Sequence, residues 1–402
     1  MSRWPVYDEE QIEDVVAVLK SGKVNAWTGD HVAKFEAAYA SHLGRRHAVA
    51  VANGTVALDL ALRTLGIGEG DEVIVTPRSF VASASCVAFC GATPVFADVD
   101  PVSGNLNAET IAVKIGPRTK AVILVHLAGW PCDMDSIMAL AERSGIKVIE
   151  DCAQAHGARH RGRPVGSFGD IAAFSFCQDK IITTGGEGGL VAMDDDKLFD
   201  VAWSLKDHGK SRALAREPSP KPGFRWLHET VGTNWRMTSI QAVLGLRQLT
   251  RLEKWNAARN RNAEIWGEAL SDLDIVSVPW PRSGDRHAWY RFYCYLRHDR
   301  LREGWSRDGV IAAIAQRGIP CFSGTCSEIY LEKSFQDLGC TPSGRLPVAK
   351  RLGEASLAFL VDPTWREDET VMAAKVVRDV LVEASRGSRA SRDAKAAEMA
   401  AG

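Results

Sequence analysis

Apolar positions along this chain recur in two rhythms. In residues 8–21 (DEEQIEDVVAVLKS), Ile12, Val15, Val16 and Leu19 fall at helical spacing behind an acidic first turn, which predicts an amphipathic helix. Residues 31–43 predict a second one, stopped by Gly44. From residue 47 the rhythm changes. Short runs rich in Val and Ile begin with HAVAVAN and recur at 71–77, 93–100, 120–126, 147–151, 171–176 and 189–193, mostly with helical stretches between them. Uninterrupted apolar strands alternating with helices predict βαβ units and an α/β fold around a mostly parallel seven-strand sheet covered on both faces.

After residue 245 the pattern shifts again. A long helical stretch, LGLRQLTRLEKWNAARNRNAEIWGEAL, connects to strand-like HAWYRFYCYL, a helix over 308–317 and a final helix near 367–384. The expected organisation is a large α/β domain with the N-terminal helices (1–245), a smaller C-terminal α+β domain (246–385) and a small, polar, disordered tail (386–402).

Composition narrows the function classes. The net charge of −1 gives no electrostatic reason to expect nucleic acid or an anionic membrane as a partner. No apolar run is long enough to span a bilayer, and the first residues carry no signal-like apolar core, so a cytoplasmic protein is expected. The nine cysteines form no CxxC pair and no ligand-like spacing with histidine, which predicts free thiols and no metal site.

In an open parallel sheet, ligands bind beyond the carboxyl ends of the strands, so the residues just after each strand carry the candidate chemistry. Gly54, Thr55 and Val56 open a helix after the first strand, either as an anion cradle of backbone N–H groups or as a plain cap made by Thr55. Phe80 follows the second strand and offers an aromatic face. Asp151 ends the fifth, ahead of Gln154 and His156; it is read as a buried carboxylate for a pyridinium nitrogen or as an ordinary helix cap. Ser175 and Lys180 follow at the sixth. Desolvating an ammonium is costly, so Lys180 is read as an amine held at low pKa for Schiff-base chemistry, against the alternative of a surface lysine beside a loop. The glycines from Gly185 to Gly189 are expected to let the backbone turn closely around a cofactor. A phosphate cradle, a ring face, a carboxylate and an imine-forming lysine together specify pyridoxal 5'-phosphate.

The motifs EDCAQAHGA (150–158), SFCQDKIITTGGEGG (175–189) and GTNWRMTSIQAVLGLRQL (232–249) resemble those of the DegT/DnrJ/EryC1/StrS sugar aminotransferases, which are fold-type I pyridoxal-phosphate enzymes. WTGDHVAKFE (27–36) and NGTVAL (53–58) add support, and the resemblance covers about residues 8 to 380. It implies that Lys180 carries the cofactor and moves the proton, that Asp151 keeps the ring nitrogen protonated, and that Gln154 lies near the ring oxygen. It implies that Phe80 stacks on the ring and that Gly54, Thr55, Val56 and Ser175 hold the phosphate. Asn234 matches an asparagine that completes the phosphate site of the neighbouring subunit, which implies a homodimer with two shared sites. The implied reaction moves nitrogen from L-glutamate to a keto group on a nucleotide-linked deoxysugar, for polysaccharide or glycosylated-metabolite biosynthesis. Trp27, His156, His208 and Arg236 are the candidates for contact with the sugar.

The chain departs from the family pattern at three places. Asp362 stands before Pro363 where the family has histidine, GIPCFSGTCSEIY (318–330) replaces an element near the sugar, and Arg291 stands where a smaller residue or histidine is usual. These leave the sugar open, not the aminotransfer. An aminotransferase acting on a cyclitol or aminoglycoside precursor shares all the cofactor residues and stays open as well. A dehydratase of the same fold carries histidine at the lysine position, and a regulatory homologue loses the lysine. Lys180, with Asp151 and Asn234, argues against both.

Overall fold

The computed structural model describes residues 3–217 and 224–386. Residues 387–402, expected as a disordered tail, lie outside the described residues. Helix α1 (Glu9–Ser21) opens on a reciprocal capping box between Asp8 and Gln11 and stops at Gly22, φ 68°. Helix α2 (His31–Leu43) stops at Gly44, φ 71°, where the sequence predicts. Strand β1 (His47–Val51) then feeds α3 (Gly54–Thr64). Next come β2 (Glu72–Val75), α4 (Ala82–Phe89), β3 (Thr93–Phe96), β4 (Thr119–Val125), α5 (Met134–Ser144), β5 (Lys147–Asp151), β6 (Ile171–Ser175) and β7 (Gly189–Met193).

These strands form the expected seven-strand sheet, in the order β1-β7-β6-β5-β4-β2-β3. The last five in that order run parallel. Strand β7 pairs antiparallel with both neighbours. The reason is local: no helix separates β6 from β7, so the chain turns straight back instead of crossing over. Every side chain of β6 and β7 is buried, which is why both read as unbroken apolar runs.

Helix α6 (Asp196–Lys206) packs on α3 and β1, and α7 (Ser239–Leu270) then runs unbroken for 32 residues. The division expected at 245/246 falls inside α7. Its Ala242, Leu252 and Trp255 pack with Phe35 and Tyr39 of α2. Its Ala263, Trp266 and Leu270 enter a separate core with Phe292 and Phe359. One helix therefore serves two cores. The second core lies on an antiparallel sheet of β8 (Val276–Ser277), β9 (Arg291–Leu296), β10 (Cys321–Phe322) and β11 (Ser356–Leu360), with β9 and β11 at its centre. Helices α8 (Arg307–Gln316) and α9 (Glu367–Ala384) supply its remaining apolar cover. Among the described residues, no helix is long and apolar enough to cross a membrane.

Candidate active site

The carboxyl ends of β1, β2, β5 and β6 open onto a cavity of about 810 Å³, and β9 with residues 322–325 forms its far wall. Gly54, Thr55, Val56, Phe80, Asp151, Gln154, Ser175 and Lys180 all line it. The sequence places them from 54 to 180; the parallel sheet brings them to one end.

Asp151 and Glu150 are neighbours on β5 with opposite fates. Glu150 is fully buried and accepts the N–H groups of Gly166, Phe168 and Gly169, each at 2.7 Å. His126 Nε2 reaches it at 3.2 Å and Arg45 lies at 3.7 Å. Burial pushes Glu150 up, but His126 and these amides outweigh it and hold the carboxyl below its ordinary range. Cys152 lies close enough to share an ion with His126 and Glu150, but the Glu150 oxygens already serve these donors as scaffold. Asp151 faces the cavity. Ser83 Oγ donates to it at 2.8 Å and the Ala153 N–H at 3.1 Å. Burial pushes its carboxyl up, and Ser83, Ala153, His126 and Lys180 offset that only in part. It is a buried carboxylate short of positive charge.

The turn into α3 corrects two expectations. The cap is Asn53, not Thr55. Asn53 sits in extended backbone (φ −164°), and its side chain accepts the Val56 N–H at 2.9 Å. The Val56 amide is therefore engaged and is not free for an anion. The N–H groups of Gly54 and Thr55, unpaired at a helix start, and the hydroxyls of Thr55 and Ser175 remain for one. The backbone here comes very close to β6: a Cβ on Gly54 would lie 2.5 Å from Ser175 Cβ. A Cβ on Gly189 would lie 2.1 Å from Asn53 O. Gly189 thus makes room for the Asn53 turn, and none of the glycines from 185 to 189 lines the cavity, contrary to the expectation that they wrap a cofactor.

Lys180 also differs from expectation. Its Nζ donates to Asp179 Oδ1 at 3.0 Å and lies 5.2 Å from the centre of the Tyr290 ring. The Tyr290 hydroxyl donates to the other Asp179 oxygen. Burial pulls the Lys180 amine down, but Tyr290 and Asp179 more than offset it, so the amine is held above the ordinary lysine value. The low pKa expected from desolvation alone is not what this arrangement gives. Gln154 is fixed from the other side: its Oε1 accepts the N–H of Ala128, a residue at φ 58°, at 2.8 Å.

His156 is not a substrate contact. It is fully buried, takes a hydrogen bond from the Tyr39 hydroxyl at 2.7 Å and donates from Nε2 to Ser175 O at 2.8 Å. Because that carbonyl only accepts, the Nε2 tautomer is set. His156 positions the end of β6. Trp27, His208, Asn234 and Arg236 do not line this chain's own cavity either. Trp27 Nε1 and Arg236 NH1 both donate to the buried Asp207, at 2.8 and 2.7 Å. The backbone of Asn234 pairs with Asp207, and the His208 N–H donates to Thr233 O. The four belong to one separate cluster.

A family model described as the DegT/DnrJ/EryC1/StrS aminotransferase family matches residues 5–378. The chain belongs to that family. An aminotransferase from Psychrobacter cryohalolentis, known from its X-ray structure, is 51% identical with a TM-score of 0.93, over 95% of this chain and 99% of that one. The GDP-perosamine synthase of Caulobacter vibrioides is 44% identical over 294 residues, 72% of this chain and 75% of that protein. The UDP-N-acetyl-3-dehydro-alpha-D-glucosamine 3-aminotransferase of Acidithiobacillus ferrooxidans is 38% identical over 359 residues, 88% of this chain and 89% of that protein.

Within this aminotransferase, the lining residues that sequence reading gave no individual role lie mostly on the far wall, Phe322 and Thr325 inside the 318–330 segment singled out as replacing an element near the sugar. Tyr290, Tyr293, Phe322 and Thr325 line the cavity, as do Ser83, Asp179 and Glu187 nearer the sheet. Asp179 stands next to Lys180 and could have been singled out by adjacency. Tyr290 had no comparable signal, because its partner is 111 positions away.

Proposed function

We propose that this aminotransferase uses pyridoxal 5'-phosphate to move nitrogen from L-glutamate to a keto group on a nucleotide-linked deoxysugar, as a cytoplasmic homodimer. The observation that carries the reading is one cavity holding Lys180, the buried carboxylate of Asp151 and the free amides at the start of α3. That donor set fits the cofactor. Gly54 and Thr55 N–H groups with the Thr55 and Ser175 hydroxyls suit the phosphate. Asp151, whose ionised form lacks a cation, suits a protonated ring nitrogen. Phe80 offers its face to the ring and Gln154 its amide to the ring oxygen. Bound there, pyridoxal phosphate supplies a carbonyl that takes up an amine and a ring that stores the electron pair of a broken C–H bond. Asp151 then holds the proton at the ring nitrogen. With the cofactor bound, the Lys180 amine in its neutral form would collect the α-proton of the amino acid and return it, and Asp179 and Tyr290, which favour the ammonium, would steady that form in between. Asp179 and Tyr290 hold the ammonium of Lys180 whenever it is free.

The cluster of Trp27, His208, Asn234 and Arg236 has no role in this chain's own cavity, which supports assigning it to the site of a second copy. In this reading the phosphate site of each subunit is completed by Asn234 of the partner subunit. Mixing Lys180→Ala with Asn234→Ala protein tests it: each is impaired alone, and mixed dimers regain one good site. The function is tested by borohydride reduction of the holoenzyme, which should tag Lys180 alone. Nitrogen-15 from labelled L-glutamate should then appear in a nucleotide-linked sugar. Label entering only a cyclitol ketone would overturn the substrate assignment.

A further inference from the structure

We propose that Arg291 binds the carboxylate of the amino-acid donor and so governs which donors the site accepts, an inference that rests on the reading above. The lining of the cavity carries three carboxylates, Asp151, Asp179 and Glu187, and two cations, Lys180 and Arg291. Lys180 is paired with Asp179. Arg291 has no ion-pair partner among the described residues. Its one hydrogen bond as a side-chain donor runs from NH1 to Tyr290 O at 3.0 Å, so Nε and NH2 are left unengaged. An unpaired guanidinium in a partly enclosed cavity is a ready anion site.

Its position decides which anion. The guanidinium lies 4.3 Å from the centre of the Tyr290 ring, which holds its plane, and the same ring lies 5.2 Å from Lys180 Nζ. The one unpaired cation of the cavity lining thus shares the Tyr290 ring with the amine that does the chemistry. An amino acid carries its carboxylate on the carbon whose nitrogen is transferred, so that carboxylate must come close to Lys180. A nucleotide-linked sugar carries its phosphates on the anomeric carbon, so the sugar ring separates them from the keto carbon that takes the nitrogen. A planar fork held on the same ring as Lys180 matches the carboxylate, with two parallel N–H···O bonds. Arg291 also stands where the family resemblance expects a smaller residue or histidine, so this contact belongs to this chain and not to the shared cofactor machinery.

The test uses cofactor-loaded wild-type protein, Arg291→Gln and Arg291→Lys. Calorimetry measures the Kd of maleate, an unreactive dicarboxylate, and each half-reaction is followed separately. Arg291→Gln should weaken maleate binding and raise the KM for glutamate about 10–100-fold, while the nucleotide-sugar half-reaction keeps its KM. Arg291→Lys, which keeps the charge, should fall between and covers the case in which the glutamine variant does not fold. Unchanged maleate binding in both variants overturns the inference. So does a loss confined to the nucleotide-sugar half, which would assign Arg291 to the diphosphate, or a loss shared equally by both halves, which would make it structural. The two readings fail separately. Maleate binding lost in the variant, from a wild-type protein that aminates no nucleotide-linked sugar, sinks the substrate assignment alone. Maleate held as tightly by the variant, beside a wild-type protein that does aminate one, sinks the Arg291 assignment alone.

Discussion

At the carboxyl ends of β5 and β6, backbone groups share in holding each polar side chain; on the β9 side, contacts from one side chain to another carry more of the load. Glu150 takes three amides, Asp151 takes the Ala153 N–H, and Ser175 O is gripped by His156. Across the cavity, the Tyr290 hydroxyl meets Asp179, Arg291 lies over the Tyr290 ring, and Arg78 lies over the rings of Tyr293 and Tyr295, 5.3 Å from each. Backbone donors cannot move without unfolding their segment. Side-chain pairs can be exchanged one at a time. The floor is therefore the more rigidly fixed half of the site and the wall is the half that can be retuned for substrate.

The comparison is broken most directly on the floor. Lys180→Ala should lower turnover by at least about 10³-fold, about 4 kcal/mol of barrier, with an unchanged melt. Nitrogen transfer from labelled glutamate measures it, and a variant that keeps its rate would move the central role to another residue. The adjacent pair on β5 sharpens the point. Glu150→Leu strands the Gly166, Phe168 and Gly169 amides and leaves Arg45 near no counter-charge at that side, and should cost about 3–5 kcal/mol in a denaturant melt. Asp151→Asn should melt close to wild type, because burial already disfavours its charge, and yet lose activity by about 10³-fold. A Glu150→Leu protein as stable as wild type would show that the floor is not held by its backbone donors.

What the sequence made legible divides along the same line. Gly44 and the ends of the strands are one-dimensional features, so α2, the seven strands and the positions of Phe80, Asp151, Ser175 and Lys180 could be read directly. Asn53 and Thr55 both have capping side chains, and only the extended backbone at 53 decides between them. His156 lies two residues past Gln154, in a turn that can point either way. Tyr39, 117 positions earlier, turns it inward. The sign of the Lys180 shift depends on Asp179 and Tyr290 together, and Tyr290, 111 positions from Asp179, meets it only in the folded chain. The reversal of β7 was within reach, since no helical pattern separates it from β6.

Two buried histidines give the next prediction. Burial pushes His156 from the ordinary 6.5 down to about 3, and His287 likewise down to about 3. Both are neutral in the folded protein, while the unfolded chain takes up a proton below about pH 6.5. Their contribution is thus complete above that pH and is lost as pH falls towards 3. By pH 5 each should have removed about 2 kcal/mol of stability. His156→Gln should be less stable at pH 8 and show a flatter fall between pH 7 and 5. An equal slope in variant and wild type would mean that His156 is protonated in the fold.

The smallest effect separates ring from hydroxyl on the far wall. Tyr290→Phe removes the hydroxyl from Asp179 and keeps the ring under Arg291. The cost should be about 1 kcal/mol in a melt, the ordinary net worth of one hydrogen bond. With the hydroxyl gone, Asp179 has only Lys180 to hold, so the pH profile of turnover should shift. The Kd for maleate should stay near wild type, because the aromatic face that orients the guanidinium remains. If Tyr290→Phe instead weakens maleate as much as Arg291→Gln does, then the Tyr290–Asp179 hydrogen bond, and not the stacked ring, sets the Arg291 fork. The wall would then be tied to the floor through Asp179, and the division between a fixed half and a tunable half would fail at that residue.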